Sequence, residues 1–453
     1  MAARHLLYAV VAALAAAAAL GTGAVAAEEA VAPEVQRWQA RAGAPVYFVE
    51  AHEVPMVDVA VVFDAGSARD GDTPGLARLT ARTLDQGADG MDAGTLARRL
   101  EDTGARLSTS VDRSQARVHL RSLSEEAPLA EATALFRQVL AEPTFKEAAI
   151  ERERQQMQQA LRVQRQSASK VAERALYEAM YGEHPYATPP AGTDEGLAAL
   201  DPGRVAAFHE AHYVAANAGI AIVGDLERAE AEALATRVLD ALPAGEPAPA
   251  LPEPPAEPAE DEIRIDFPAT QTAIAMGLPA IARGEEALEY PLRVADQVLG
   301  GGGLVSRLFR AMREERGLSY STASRLHVEP VRGPWIVRSS VKAERTEEAL
   351  SVLRSEIRRL TQEGLDATEI DDAVRHLTGS FPLALASNSG LLRQLSAMAA
   401  HRLPADHLAR YIPRMEAVDP ASVQQALDAR LDPERMVTVI VGPDVEATGA
   451  EPE

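Results

Sequence analysis

Met436-Val-Thr-Val-Ile-Val-Gly442, near the C-terminus, repeats the pattern of Gly219-Ile-Ala-Ile-Val-Gly224 in the middle of the chain. Each is a short apolar run, rich in β-branched residues and closed by glycine, which predicts a buried strand. Two further pairs match in the same order, each separated by a little more than 210 residues: Arg106-Leu-Ser-Thr-Ser110 with Gly317-Leu-Ser-Tyr-Ser321, and Val118-His-Leu-Arg-Ser122 with Trp335-Ile-Val-Arg-Ser339. A long-period duplication explains these matches, so we expect two homologous domains.

The order of strand-like and helix-like segments predicts an α+β fold for each half. Apolar runs at Val57–Phe63 and Thr272–Met276 open the halves, and a strand pair is expected around residues 106–123 and 318–341. Amphipathic helices follow, one of them marked by an apolar stripe at helical spacing: Leu129, Ala132, Leu135, Phe136, Val139 and Leu140. Strands followed by helices, without strict alternation, are typical of a mainly antiparallel sheet covered by helices.

A proline-rich segment, residues 242–262, separates the halves. Proline fixes φ and removes a backbone donor, so we interpret this segment as an extended, semi-rigid linker rather than a loop within one domain. The predicted boundaries are therefore residues 28–241 for the N-terminal domain and 263–445 for the C-terminal domain.

The N-terminus, residues 1–27, has the pattern of a secretory signal peptide. Arg4 precedes an Ala-rich apolar run, and small residues including Ala26 and Ala27 come before the acidic Glu28. An uncleaved anchor helix is the alternative, although the run is short for a bilayer span of about 20 residues. We expect an exported protein with no membrane segment after cleavage, most simply located in a bacterial periplasm.

Composition excludes several classes of protein. The 453-residue chain carries 67 acidic and 45 basic residues, a formal net charge of −22, which argues against a nucleic-acid partner because phosphate binding needs clustered Lys and Arg. The absence of cysteine excludes disulfides, thiolate zinc sites and a cysteine nucleophile. The acidic balance fits basic or amphipathic peptide substrates, although net charge bears more on solubility than on specificity.

One segment carries a specific resemblance. Ser306-Arg-Leu-Phe-Arg-Ala-Met-Arg-Glu-Glu-Arg-Gly-Leu-Ser-Tyr320, approached by glycines 300–303, resembles the second-half signature of the pitrilysin/insulinase-type metallopeptidases, which include mitochondrial processing peptidase. With the duplicated halves and the linker, the resemblance extends over residues 40–442. It implies the LuxS/processing-peptidase-like metallohydrolase fold.

The resemblance also implies a zinc site that this chain has lost. Active members carry an inverted His-x-x-Glu-His motif on the first helix, with a distant Glu as third ligand. The matching positions here are Arg78 and Arg82 for the two His, Ala81 for the base and Ala160 for the distant Glu. Arg is protonated and has no lone pair for a metal, so we expect no metal in this chain. Arg78 and Arg82 could equally be ordinary solvated helix residues.

His209-Glu-Ala-His212 offers two other histidines. Their i, i+3 spacing fits neither zinc motif, and a metal site also needs a third ligand and supporting hydrogen bonds. We expect both histidines to be structural.

Arg313 and Tyr320 match the Arg/Tyr pair that active members use from the C-terminal half. The resemblance implies that they are catalytic residues, which hold the substrate and stabilise the oxyanion. The alternative is a helix salt bridge for Arg313 and a core position for Tyr320. The same resemblance implies substrate-binding residues on the first-half strand and in the glycine-rich segment: Leu107, Ser108, Thr109, Gly301 and Gly302.

Two functions remain open at this point. The first is the non-zinc-binding subunit of an exported heteromeric metalloendopeptidase, inactive alone and paired with a zinc-motif homologue that supplies the metal. Its substrates would be peptides that add a strand to a sheet edge. The second is a catalytically silent structural or peptide-binding paralogue. A self-sufficient protease with a relocated site is disfavoured by the two arginines.

Overall fold

A computed structural model of the protein describes residues 32–256 and 261–443. The predicted signal peptide, residues 1–27, lies outside the described residues, as do residues 257–260 of the predicted linker. Within the described part of the chain, no helix is both long enough and apolar enough to cross a membrane.

The first half contains six strands and eight helices within the described residues. In chain order they are β1 Gln36–Gln39, β2 Pro45–Glu50, β3 Met56–Phe63, α1 Leu76–Thr83, α2 Ala93–Asp102, β4 Arg106–Val111, β5 Ala116–Leu123, α3 Glu126–Ala141, α4 Glu147–Gln164, α5 Ala168–Tyr181, α6 Asp194–Ala198, α7 Pro202–His212, β6 Ala218–Gly224 and α8 Arg228–Ala241.

The second half has five strands and seven helices among its described residues. They are β7 Glu262–Asp266, β8 Gln271–Ile281, α9 Glu286–Asp296, α10 Arg307–Phe309, β9 Ser319–Leu326, β10 Gly333–Lys342, α11 Thr346–Glu363, α12 Ala367–Leu385, α13 Asn388–Ala400, α14 Tyr411–Glu416, α15 Pro420–Arg430 and β11 Val437–Gly442. Two π-helical turns, Gln297–Gly301 and Arg310–Glu314, flank α10.

The two sheets share a five-stranded topology, to which the first sheet adds β1, and this confirms the α+β fold with two homologous halves. The first sheet has the order β1-β2-β6-β3-β5-β4, and the second has β7-β11-β8-β10-β9. In each, one pair is parallel (β2 with β6, β7 with β11) and the other pairs are antiparallel. The sequence patterns did not predict strands β1, β2 and β7. Strand β7 begins at Glu262, the last residue of the predicted linker.

Each sheet is covered on one face by helices of its own half, and the two apolar cores form there. The opposite face of each sheet receives a helix from the other half. Helix α5 packs on β8 and β11, and α13 packs on β6, β3 and β2. A third apolar cluster lies under α5, with Tyr181, Met180 and Ile336 among its members. From Glu34 onward the chain therefore forms one compact unit.

The described part of the linker has no regular secondary structure but is held to both halves. The carbonyl oxygen of Pro243 accepts a hydrogen bond from Ala215, and the carbonyl oxygens of Pro252 and Pro254 lie 2.9 and 3.0 Å from His184 Nε2 and Arg332 Nη2. Most residues of this described part are exposed, so it follows the surface of the molecule.

Candidate functional site

The helix that carries the lost zinc motif, α1, begins at a buried carboxylate. Gly75 precedes the helix with φ 105°, a left-handed conformation that glycine adopts without strain. Asp70 accepts hydrogen bonds from the backbone N–H groups of Gly75 and Ala77, each at 2.7 Å. Burial raises the pKa of the Asp70 carboxyl to about 7, although these two hydrogen bonds favour its ionised form. This arrangement fixes α1 at the edge of the first sheet.

Arg78 and Arg82 lie four residues apart on α1 and project from one face of it. Arg82 donates to Glu153 of α4, with Nε 3.0 Å and Nη2 2.7 Å from the same carboxylate oxygen, and Nη2 also donates to Gln156 at 2.8 Å. Glu153 is buried, so this ion pair neutralises a carboxylate that water does not reach.

Arg78 has no hydrogen-bond or ion-pair partner among the described residues, and it is half-buried. Burial and, secondarily, the positive charge of Arg82 lower the pKa of Arg78. Ala81, at the position of the catalytic base, is buried and offers no proton acceptor. A guanidinium group cannot bind a cation, so these residues do not fit the zinc ion that the family uses.

The structure shows two positions of α4 that bear on the predicted third ligand, Ala160 and Glu153. Ala160 is exposed, almost two turns along α4 from Glu153, while Glu153 contacts the side chain at position 82. The sequence contained a signal for this, because Glu153 falls on the same helix face as Ile150, Met157 and Leu161, where an acidic residue is unexpected. Glu153 is therefore an alternative candidate for the third-ligand position, and its partner here is Arg82.

The two other histidines have structural roles. His209 Nε2 lies 2.8 Å from the carbonyl oxygen of Leu140, its ring stacks on Tyr213, and burial lowers its pKa to about 4. His212 packs against Phe208. Within residues 32–256 and 261–443, no group of three or more His, Asp or Glu side chains is placed to hold a metal.

The substrate-binding positions predicted in the first half lie on an edge strand. Leu107, Ser108 and Thr109 belong to β4, which pairs with β5 on one side and has no described strand on the other. Strand β4 is also in contact with α1. An edge strand of this kind can accept an extended peptide through main-chain hydrogen bonds.

Arg313 and Tyr320 come together in the second half. The guanidinium carbon of Arg313 lies 4.5 Å from the centre of the Tyr320 ring and 5.1 Å from that of Phe309, and Nη1 is 3.4 Å from the carbonyl oxygen of Tyr320. Tyr320 is 79% exposed, which excludes the alternative of a core aromatic residue. No acidic partner of Arg313 is found among the described residues, so its charge is available to a ligand.

The glycine-rich segment packs directly against β9, the edge strand of the second sheet that carries Tyr320. A Cβ atom at Gly300 would lie 2.3 Å from the backbone nitrogen of Ser324, so only glycine permits this approach. Gly301 is exposed and Gly302 is partly exposed next to it. The glycine-rich segment thus contacts the strand that carries Tyr320, at Ser324. No described polar or ring contact joins the Arg313–Tyr320 pair to Arg78 or Arg82.

Comparisons with protein families agree with this geometry. The insulinase family (peptidase family M16) matches residues 46–194, and the peptidase M16 inactive domain matches residues 199–377. A chain described as an uncharacterised zinc protease of Streptomyces coelicolor is 28% identical over 228 residues, and the match spans about half the length of each protein, 48%. The non-peptidase homologue YmxG of Helicobacter pylori is 25% identical, with 76% of this chain and 79% of that protein covered.

Solved structures give the same result over a longer span. The crystal structure of a peptidase M16 inactive domain from Pseudomonas fluorescens has a TM-score of 0.86 and 35% identity, covering 91% of this chain and 98% of that one. A protease from Helicobacter pylori has a TM-score of 0.79 at 16% identity, which shows the shared fold. With the duplicated sheets and the degenerate helix α1, these matches establish that the chain belongs to the insulinase (M16) peptidase family.

Proposed function

We propose that this chain is the non-zinc-binding subunit of a heteromeric M16 metalloendopeptidase, to which it contributes substrate binding and oxyanion stabilisation. One observation carries the proposal. The metal-ligand positions hold Arg78 and Arg82, while Arg313 and Tyr320 are retained, adjacent to each other and exposed, Arg313 on a π-helical turn and Tyr320 on the edge strand β9. Loss of one half of a catalytic apparatus with retention of the other is expected of a subunit that completes a partner's site.

The retained pair has the chemistry that peptide hydrolysis requires from such a subunit. A guanidinium group and a phenolic O–H are both hydrogen-bond donors, and together they can bind the carbonyl oxygen that gains negative charge in the tetrahedral intermediate. Tyr320 is exposed enough for its hydroxyl to reach a bound peptide. The metal and the general base would be supplied by the partner chain, since no residue of α1 can do so.

The edge strands support peptides as the substrate class. Strand β4 has a free backbone edge among the described residues, and residues 107–109 lie on it. An extended peptide could add to such an edge with main-chain hydrogen bonds that do not depend on its sequence. We place the complex in the periplasm, on the basis of the signal-peptide pattern of residues 1–27.

Reconstitution with a homologue that carries His-x-x-Glu-His, from the same organism, tests the proposal. We expect the isolated chain to be inactive and the mixture to cleave a quenched-fluorescent peptide. Arg313→Ala and Tyr320→Phe should each lower kcat by about 10²–10³-fold, the usual effect of removing an oxyanion donor. Arg310→Ala is the matched control, because Arg310 is an exposed arginine of the same π-helical turn.

Copurification separates assembly from catalysis in this experiment. Variants that elute with the zinc-bearing homologue but do not cleave would support the assigned roles. If Arg313→Ala and Tyr320→Phe cleave as fast as the Arg310→Ala control, the oxyanion role is wrong.

A catalytically silent structural or peptide-binding paralogue is the second candidate. Two observations favour it: the ion pair of Arg82 with Glu153 occupies the former site, and the Helicobacter pylori relative is named a non-peptidase homologue. If this chain copurifies with the homologue, and the peptidase activity of the homologue is the same with and without it, the second candidate is supported over the first.

A further inference from the structure

The first sheet has a basic surface that the sequence did not reveal. Register places Arg106 of β4 directly opposite Arg121 of β5, and Ser110 of β4 opposite Arg117. Side chains directly opposite one another in a sheet share a face, and residues two apart on a strand do so too. Arg106, Arg117 and Arg121 therefore form one surface, the β4–β5 basic face. It lies on the side of the sheet that also receives α13, away from the helices of the same half.

The charges of this face are only partly compensated. Arg121 pairs with the fully buried Asp58, Nε to Oδ1 at 2.8 Å, and His119 Nε2 lies 2.8 Å from the same oxygen. Arg106 is exposed and has no hydrogen-bond or ion-pair partner among the described residues. Its position opposite another arginine is unfavourable, because like charges directly across a strand pair repel.

Arg117 contributes the second uncompensated charge. Among the described residues its side chain makes one long hydrogen bond, from Nη2 to Gln115 Oε1 at 3.4 Å, and its buried Nε has no partner. No acidic side chain among the described residues pairs with Arg117, so its positive charge stays uncompensated beside Ser110 of the edge strand.

The equivalent strands of the second sheet carry the same feature. Arg338 of β10 matches Arg121 in the internal repeat and pairs with Glu173 at 2.9 Å. Arg325 of β9 is exposed, and within the described residues it has no hydrogen-bond or ion-pair partner. A basic open face thus occurs on both sheets of a chain whose net charge is −22.

We propose that the β4–β5 basic face binds an acidic polypeptide segment that adds as a strand to β4. The proposal rests on the peptide binding that the proposed function assigns to this edge, and it specifies the charge of the peptide. It reverses the expectation drawn from composition, that the acidic chain would favour basic peptides. Interactions beyond a Debye length of about 8–10 Å are screened, so the local charge of the face governs a peptide bound there.

The register also specifies the spacing of the acidic residues. Arg106 and Ser110 are four residues apart on β4, a separation of about 13 Å along the strand. Ser110 lies opposite Arg117 of β5, so this separation also describes the spacing of the two uncompensated charges along the strand direction. An added strand would place its residues i and i+4 beside these two positions and on the same face. Residues i and i+3 would project to opposite faces. Two glutamates four residues apart therefore fit the face, and two glutamates three apart do not.

Fluorescence anisotropy on the full chain alone, with labelled peptides, tests this inference. The probes share one β-prone sequence and carry two glutamates at i and i+4, two glutamates at i and i+3, or two lysines at i and i+4. We expect the i, i+4 glutamate peptide to bind at least about tenfold more tightly than either of the others, with the advantage decreasing as salt is added.

Substitutions identify the surface. Arg106→Gln and Arg117→Gln should each weaken binding of the i, i+4 glutamate peptide by about tenfold. Arg98→Gln, which removes the same charge from an exposed position on α2, should have no effect. Because Arg106 is exposed, its variant tests the proposal even if Arg117→Gln folds poorly.

Equal affinity for the glutamate and lysine peptides, or an Arg106→Gln variant that binds as the Arg98→Gln control does, would overturn the inference. The assay needs no partner and no cleavage. Failure of reconstitution with a zinc-motif homologue would therefore count against the proposed function and leave this inference standing.

Discussion

At the scale of single residues, an ion pair joins the helix of the degenerate zinc motif, α1, to α4. Glu153 remains buried on α4, and the guanidinium of Arg82 supplies the positive charge that it needs. A buried carboxylate without a partner would be strongly destabilising. Because Arg82 supplies a positive charge, Glu153 can remain buried on α4 without a metal ion. Arg78 has no such role in the described structure, and its charge is partly desolvated.

We predict that three substitutions on α1 restore zinc binding, with Glu153 as the third ligand. In Arg78→His/Ala81→Glu/Arg82→His, two histidines four residues apart on α1 would face Glu153, which gives three ligands of the types that zinc prefers. We expect about one zinc ion per chain by mass spectrometry after dialysis, and none in the wild type. Adding Glu153→Ala should abolish binding, whereas adding Ala160→Gly should not. Zinc retained equally without Glu153 would contradict its assignment as the third ligand position.

At the scale of elements, a helix of one half is held against the sheet of the other by close backbone contact. A Cβ atom at Gly219 of β6 would lie 2.7 Å from the carbonyl oxygen of Ala399 on α13. Helix α13 can therefore reach the sheet only because position 219 has no side chain. On the second sheet, Gly277 of β8 is similarly close to Met180 of α5.

Gly219→Ala should separate α13 from the first sheet and destabilise the fold. We expect a loss of about 1–3 kcal/mol in the free energy of unfolding, the usual effect of overpacking a core, measured by urea denaturation. Gly379→Ala is the control, because Gly379 is exposed within α12 and a Cβ atom there would meet nothing within 4 Å. The control should gain about 0.5–1 kcal/mol from helix propensity. Equal effects of the two substitutions would show that the contact with Ala399 is unimportant.

At the scale of the whole molecule, the contact between the halves includes an acid with an unusual pKa. Glu329 of the second half accepts a hydrogen bond from Ser114 of the first, at 2.7 Å, and Ser114 also contacts the Tyr186 hydroxyl at 2.9 Å. Burial and then the charge of Asp112 raise the pKa of Glu329 to about 7. The folded state thus binds a proton here that the unfolded state releases near pH 4.5.

The stability of the molecule should depend on Glu329 in a defined pH window. Because its pKa is higher in the folded state, ionisation destabilises the fold progressively as pH rises from about 4.5 to about 7. Glu329→Gln should be more stable than wild type by about 2 kcal/mol at pH 8, and no more stable at pH 4.5. Buried histidines shift stability in the opposite direction, so the difference between variant and wild type is the quantity to measure, by urea denaturation at both pH values.

The same measurement on Glu416→Gln, which removes an exposed carboxylate at the end of α14, controls for the general effect of losing an acidic side chain. A Glu329→Gln difference that is the same at pH 4.5 and pH 8 would mean that the carboxyl is not the titrating group.

The amino-acid sequence by itself determined the duplication, the α+β class and the loss of the metal ligands. These properties are local or periodic: an apolar run such as residues 219–224 predicts a strand wherever it occurs, and an arginine at position 78 cannot bind zinc in any fold. Only the tertiary structure decided that Glu153 faces Arg82, that α5 and α13 cover each other's sheets, and that Arg106 lies opposite Arg121. Each of these contacts joins residues that are separated in the chain. Helix packing and strand register determine the contacts, and no short stretch of sequence specifies either of these.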